Sequence, residues 1–393
     1  MKAQPALKPA KYLLALFIIF LTFLISCQNQ EKQREFSTID FTPEKFVEEE
    51  NVLLDTIVDE IEYVILESDA GSYIGRISSL FITENEILLI SQGDVFIFDR
   101  TGKFKTKLGA KGRGPEEYLS PLEVLYNSER GRYIVYDSRS VLEFDNDYNF
   151  IKKTEHDREL KRIKLLGDDK YVGELMTESY YGDSVVYSLA FYDKEMNIIN
   201  KLETTEPSEP VEGQIFMIDL MGGLNYGPDG VLFREQYGDT IYSITTDVER
   251  EPLLKLDMGD KKYPKELNFN IAMFQEKRND YIQPGKFSII DDNLIMQFLF
   301  DGKSMYSWTD ISNNITVIPV IEDGDKEYGF MLKAFPGYCH HTYFTDGYLF
   351  NIIQPSDAME YFDREADGIP ADLKSTIENM TIDQNPILVL GRY

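Results

Sequence analysis

"FDRTGKF" (98–104), "FDNDYNF" (144–150) and "YDKEMNI" (192–198) share one frame: an aromatic, an aspartate, four residues, then an apolar residue. "TDISNNI" (309–315) keeps the aspartate and its spacing to the apolar residue. The aspartates are Asp99, Asp145, Asp193 and Asp310. A short carboxylate followed by Gly or Asn stabilises a tight turn, by bonding to nearby backbone or by tolerating positive φ. With apolar residues on both sides, each copy reads as the turn of a β-hairpin. The segment around Asp247 falls where a further copy is due. There Pro252 replaces the apolar residue, so that copy reads as degenerate.

A second set of turns interleaves with the first. "TENEILLIS", "NSERGRYIVYDS", "LGDDKYVGELM", "GPDGVLFREQ", "IDDNLIMQFLF" and "TDGYLFNII" each carry a polar turn into an apolar, β-branched or aromatic run. Twenty-five Tyr and twenty-five Phe beside one Trp suit a chain of strands. Two hairpin turns per unit, six times over, make units of four antiparallel strands. The shortest spacing is roughly 40–45 residues, the size of a propeller blade. The expected fold is therefore all-β: a six-bladed β-propeller of four-stranded antiparallel blades, over 51–393. The longer intervals hold short helical insertions near 264–282 and 356–380. A β-sandwich has the same strand count, but the regular pairing of turns favours the propeller. The last unit lacks a strand. "NPILVLGRY" (385–393) and "IEYVILE" (61–67) together complete it, joining both ends of the propeller in one blade.

Between the first and second units lies "GAKGRGPEEYLSP" (109–121). It lacks the third glycine of a dinucleotide fingerprint and the Gly-Lys-Ser/Thr ending of a phosphate loop. It reads instead as a corner between blades, where Gly112 and Gly114 permit sharp turns and Pro115 fixes φ. Such a corner borders one face of the central channel. Arg113, Glu117 and Tyr118 are therefore candidate binding residues at the channel mouth.

The stretch "GAKGRGPEEYLSPLEV", with "IEYVILE", "YIGRISSLFI" and "NPILVLGRY", resembles the signatures of the six-bladed β-propeller lipoproteins of Bacteroidetes, a family similar to NHL-repeat propellers. Glu116 departs from that family's pattern, where glycine is common. The resemblance implies a six-bladed propeller on an envelope lipoprotein and implies no activity.

The N-terminus agrees with that address. Lys2, Lys8 and Lys11 precede an uncharged run from Tyr12 to Ser26, too short for a spanning helix. Leu24-Ile25-Ser26-Cys27 matches the bacterial lipobox, so residues 1–26 are expected to be a signal peptide and Cys27 the lipidated residue. Gln28 after the cysteine favours the outer membrane, on its periplasmic face or at the cell surface. "QNQEKQRE" begins a polar tether placed at 27–50.

The whole chain has 40 basic and 68 acidic residues, a formal charge of −28. Without residues 1–26 the basic residues are 37 and the balance is −31. Such a chain repels nucleic acid. With Cys27 carrying lipid, Cys339 has no partner in the chain, and the fold must rest on its core.

Chemistry is sparse. Cys339, His340 and His341 are adjacent, but successive strand residues face opposite ways, so at most two of them share an ion, short of a structural zinc site. His340 and His341 stand as candidate residues at the channel mouth. "DNDYN" (145–149) lacks the glycine and glutamate of a calcium loop, and no Gly-x-Ser-x-Gly elbow occurs. No catalytic residue, metal ligand or cofactor is assigned; calcium is the one ion with even a weak lead. The functional expectation is a lipid-anchored, non-catalytic binding or scaffold propeller for an envelope protein, peptide or glycan. A metal-dependent propeller hydrolase or lyase of the lactonase type is the alternative.

Overall fold

The structure is a computed structural model describing residues 37–68, 71–156, 160–175, 186–205, 223–227, 230–323, 325–340, 342–345 and 347–393. The expected signal peptide and Cys27 lie outside the described residues. Six small antiparallel sheets form a six-bladed propeller. Blade 1 runs over 77–107, blade 2 over 121–155, blade 3 over 160–203, blade 4 over 223–257 and blade 5 over 283–323. Blade 6 is composite, ordered Tyr343–Thr345, Tyr348–Ile353, Ile387–Arg392 and Glu60–Ile65. The first strands of all six blades touch their neighbours in a closed ring.

Both ends of the propeller meet in blade 6, as the apolar alternation of 61–67 and 385–393 demands. Ile387–Arg392 pairs antiparallel with both flanking strands, with Val64 opposite Leu388 and Phe350 opposite Leu390. Ile387, Leu388, Val389 and Leu390 are fully buried, serving the cores toward blades 5 and 1. At about 1.5–3 kcal/mol for each large apolar side chain buried, this strand is worth a large part of a domain's net stability.

The repeat turns form as expected. In each, the aspartate carboxylate closes the turn on backbone N–H groups. Asp145 Oδ1 accepts from Asp147 and Asn149, both at 2.9 Å, and Asp193 Oδ1 from Glu195 and Asn197 at 2.8 and 2.9 Å. Asp99 and Asp310 do the same with Thr101 and Asn313. In the first three copies the third residue after the aspartate has positive φ: Gly102, Tyr148 and Met196, at 86°, 64° and 62°. In the degenerate copy the hinge is Thr245, two residues before Asp247. Thr245 N–H donates to Glu249 O, and β-branched Val248 is held at φ 72°.

The polar tether placed at 27–50 ends earlier than the composition suggests. Strand β1 (Ser37–Asp40) lies parallel to Arg250–Asp257 on the outer edge of blade 4. Strand β2 (Phe46–Glu50) lies parallel to Ile315–Asp323 on blade 5. Leu53 bridges Met331, and β3 (Glu60–Ile65) then enters blade 6. Residues 37–65 thus run as a belt along three blades. Ile39 and Phe41 are fully buried, and the rings of Phe41 and Phe46 meet Phe298 edge-on at 5.3 and 5.7 Å. The expected helical segments are present as short pieces, Lys265–Phe269, Ile271–Lys277 and Arg278–Asp280 in the first, Pro355–Tyr361 and Ala371–Glu378 in the second.

Two outcomes follow from these contacts. Removing residues 385–393 should abolish the single cooperative melting transition; an unchanged transition would show that closure is dispensable. Hydrogen bonds hold the turn aspartates below the usual carboxylate range: the Thr101 hydroxyl first at Asp99, the Asn149 N–H at Asp145, the Asn197 side chain at Asp193. A folded pKa below the unfolded value of about 3.9 gives stability that is present above that value and is lost as pH falls through the folded one. The triple variant D99A/D145A/D193A should therefore melt below the parent at pH 7, and the gap should narrow as pH drops under about 4.

Candidate functional site

The glycine corner is built around Glu117. Its Oε2 accepts from the Gly114 N–H at 2.7 Å, and a Cβ on Gly112 would stand 1.9 Å from the same oxygen. Glycine at 112 thus makes room for the Glu117 carboxylate rather than supplying a positive φ. Glu117 N–H donates to Gly114 O at 3.3 Å, closing a turn with Pro115 at its first corner. Ala110–Lys111 and Glu117–Tyr118 pair as a short parallel ladder. Gly109, at φ 67°, lies against the rings of Phe144 and Tyr118.

This geometry corrects the reading of Tyr118. Its ring is fully buried in the core of blades 1–3, and its hydroxyl accepts from Val95 N–H at 3.2 Å. Burial pushes its hydroxyl up to about 12. Tyr118 is a brace and presents nothing to a ligand. Glu117 is spent on the corner, while Arg113 is exposed on it. Neither lines the channel cavity. His340 backbone pairs with Phe330 in a small hairpin of the crossing from blade 5 to blade 6; His341 lies outside the described residues. Among the described residues, no group of three or more His, Cys, Asp or Glu converges as a metal site would require.

The candidate site lies in the channel. A cavity of about 390 Å³ opens among the beginnings of the six first strands. Five cations line it: Arg76 entering blade 1, Lys161, Arg162 and Lys164 from blade 3, and Lys286 from blade 5. Among the described residues one carboxylate, Glu123 of blade 2, lines it with them. Its Oε1 accepts from Lys164 Nζ at 2.6 Å and its Oε2 from Ile163 N–H at 2.8 Å. Behind the wall, buried Glu174 pairs with Arg162 Nε at 2.9 Å and lies 3.9 Å from Lys161 Nζ. Among the described residues, no carboxylate pairs with Arg76 or Lys286. Two of the five, Arg76 and Lys286, thus enter the cavity with no carboxylate beside them among the described residues, inside a chain of formal charge −28.

A recurrent backbone irregularity places two of these cations, Lys161 and Lys286. In blade 1 the register steps between Ile77 and Ser79, in blade 2 between Pro121 and Glu123, in blade 3 between Leu160 and Arg162, and in blade 5 between Pro284 and Phe287. Each step inserts an extra residue at the mouth of an inner strand. A β-bulge re-aims the side chains beside it. Ser78, Leu122, Lys161 and Lys286, all at these steps, line the cavity.

Lys286 is placed by three blades. Arg234 of blade 4 is fully buried and donates to Glu235 O at 2.9 Å, Gly238 O at 3.0 Å and Pro284 O at 2.7 Å, fixing the bulge of blade 5. Lys286 Nζ sits over the ring of Tyr343 on blade 6, 5.2 Å from its centre. Burial and then the like charges of Arg162, Lys164 and Arg76 bring its ammonium down to about 8, with Glu123 opposing.

Comparison with known proteins places the chain. Residues 36–392 match the family model described as "Domain of unknown function (DUF4934)". The chain belongs to the DUF4934 family. No curated protein matches this DUF4934 chain. A protein of Bacteroides fragilis described as exported is similar in structure, at 14% identity and a TM-score of 0.66, over 88% of this chain and 98% of that one. A DUF4221 family member of Bacteroides vulgatus follows at 9% identity and 0.49, over 85% and 98%. Virginiamycin B lyase of Staphylococcus aureus follows at 12% and 0.40, over 85% and 100%. The first supports the propeller fold; the other two likenesses are too distant to bear on function. Among the described residues, no helix is long and apolar enough to cross a membrane.

Gly223, at the mouth of blade 4, tests the wall. It adopts φ 115°, and a Cβ there would stand 2.3 Å from Glu174 Oε2 and 3.1 Å from Arg162 Cζ. Gly223→Ala should lower unfolding free energy by about 1–3 kcal/mol in denaturant titration. Parent-like stability would show that the Glu174–Arg162 pair yields without cost.

Proposed function

We propose that this DUF4934 protein is a binding propeller of the bacterial envelope, tethered by lipid at Cys27, which holds a small anionic ligand in its channel without turning it over. The observation that carries this reading is the convergence of Arg76, Lys161, Arg162, Lys164 and Lys286 on one cavity of an acidic chain, with no carboxylate beside Arg76 or Lys286 among the described residues. Charged groups enclosed together repel one another, and nothing in folding alone requires five bases from three blades to converge. A bound anion relieves that repulsion, and a partly desolvated site strengthens the attraction. The site differs in kind from a protein-docking rim: it is a concave chamber of the size small ligands occupy.

The channel carboxylates are already engaged by bases, Glu123 by Lys164 and Glu174 by Arg162, which favours an anion over a divalent cation as the occupant. The acidic exterior would slow the approach of anions in general. Selectivity then lies with the ligand that fits the chamber.

The test is a thermal-shift comparison on the mature chain made without its lipid, using citrate, phosphate, calcium chloride and an uncharged sugar at matched ionic strength. An oxyanion should raise the melting temperature, and the double variant R76Q/K286M should lose that rise. A rise with calcium or the sugar alone would overturn the anion reading.

A further inference from the structure

We propose that the ligand of the channel is a compact polyanion, carrying two or more anionic groups on one small body, and that Lys286 is the residue that selects it. This rests on the anion-binding reading above and adds the ligand's valence and size.

The valence follows from where the bases stand. Lys164 is spent on Glu123, and Arg162 on Glu174. Arg76 and Lys286, which have no carboxylate partner among the described residues, enter the cavity on blades 1 and 5, with blade 6 between them. Lys161, at 3.9 Å from a carboxylate shared with Arg162, faces them from blade 3. Cations thus reach the chamber from separate sides of the ring. A single carboxylate or halide engages one side and leaves the others in mutual repulsion. A di- or tricarboxylate, or a pyrophosphate-like group, engages several at once. The volume of about 390 Å³ admits such a body and leaves no room for a folded protein segment.

Lys286 is the discriminating base because its position is imposed and its charge is conditional. The Arg234 bond to Pro284 O and the bulge hold its backbone, and the Tyr343 ring holds its ammonium. That ring is itself held by Phe350, stacked with it at 5.1 Å between centroids. The groups facing Lys286 are Arg162 and Lys164 of blade 3, Arg76 of blade 1, Glu123 of blade 2 and Tyr343 of blade 6. Burial first, and then three cations against one acid, lower its proton affinity. A polyanion in the chamber offsets the charge part of that lowering and favours the protonated form. Binding near pH 8 should therefore take up a proton, and affinity should fall from pH 7 to pH 9.

The experiment is isothermal titration of the mature, lipid-free protein with citrate, inorganic pyrophosphate and acetate, at pH 8 in two buffers of different ionisation enthalpy. Citrate or pyrophosphate should bind with one site and at least about tenfold more tightly than acetate, with heats that differ between buffers by a fraction of a proton. Which of the two binds more tightly separates a carboxylate from a phosphate source. Lys286→Met should weaken the polyanion about tenfold or more and abolish the buffer dependence, while its melting temperature without ligand stays near the parent's. Arg76→Gln should weaken the polyanion and keep the buffer dependence. Equal affinity for acetate and citrate would overturn the polyanion inference and leave the anion reading standing. Binding of none of the three would overturn both, as would tight citrate binding unchanged in Lys286→Met overturn the role of that lysine.

Discussion

Ring closure is the constraint on which everything else depends. A propeller blade buries its two faces only when a neighbour stands on each side, so the sixth blade must exist for the first and fifth to be dry. Here that blade is made by laying Ile387–Arg392 between Tyr348–Ile353 and Glu60–Ile65. Its fully buried Ile387, Leu388, Val389 and Leu390 serve two inter-blade cores at once. Asn385, just before this strand, is buried and reaches the other end of the propeller through Ile74 N–H, Glu67 O and Ser72 O at 2.6–2.8 Å. The closed ring in turn converts six separate strand mouths into one chamber.

The chamber shows how a fold tolerates a cost at its centre. Like charges held together in a partly desolvated place oppose folding. The structure offsets part of that cost with Glu123 and Glu174, and part with the Tyr226 and Tyr343 rings under Lys164 and Lys286. It leaves the rest standing. Arg234 is the buried charge that makes the arrangement rigid, its guanidinium spread over carbonyls of two blades. Conflicts between local chemistry and fold concentrate where function is served.

Much of the architecture is legible in the sequence, because the signals that specify it are local. An aspartate bonding N–H groups two and four residues on needs no distant partner, so Asp99, Asp145 and Asp193 announce their turns. The strand of blade 6 is equally plain from its apolar run. The belt is not. "FVEEE" looks like solvated tether because β2 is held by main-chain pairing and by one edge ring, Phe46, with its glutamates exposed. Thr245 hides as a turn residue because the nearby Asp247 is the more conspicuous acid.

The site was the least legible part, for a physical reason. Its members come from separate blades, and their inward aim depends on bulges that only the pairing register reveals. Tyr118 and Glu117 looked like binders because they follow glycines; packing turned one into the core and folded the other back on its own loop. A signal was present in "LKRIKLL" (160–166), where three bases interrupt an inner strand otherwise apolar.

The belt also sets an order of events. Strands β1 and β2 leave the ribosome early, yet their partners Arg250–Asp257 and Ile315–Asp323 are made long afterwards, and β3 waits for the final segment of the chain. Blades 1 to 3 have all their strands as soon as they are synthesised. Blades 4, 5 and 6 gain their outermost strands only when the start of the chain swings round to them. The first part of the propeller to be made is thus among the last to be seated.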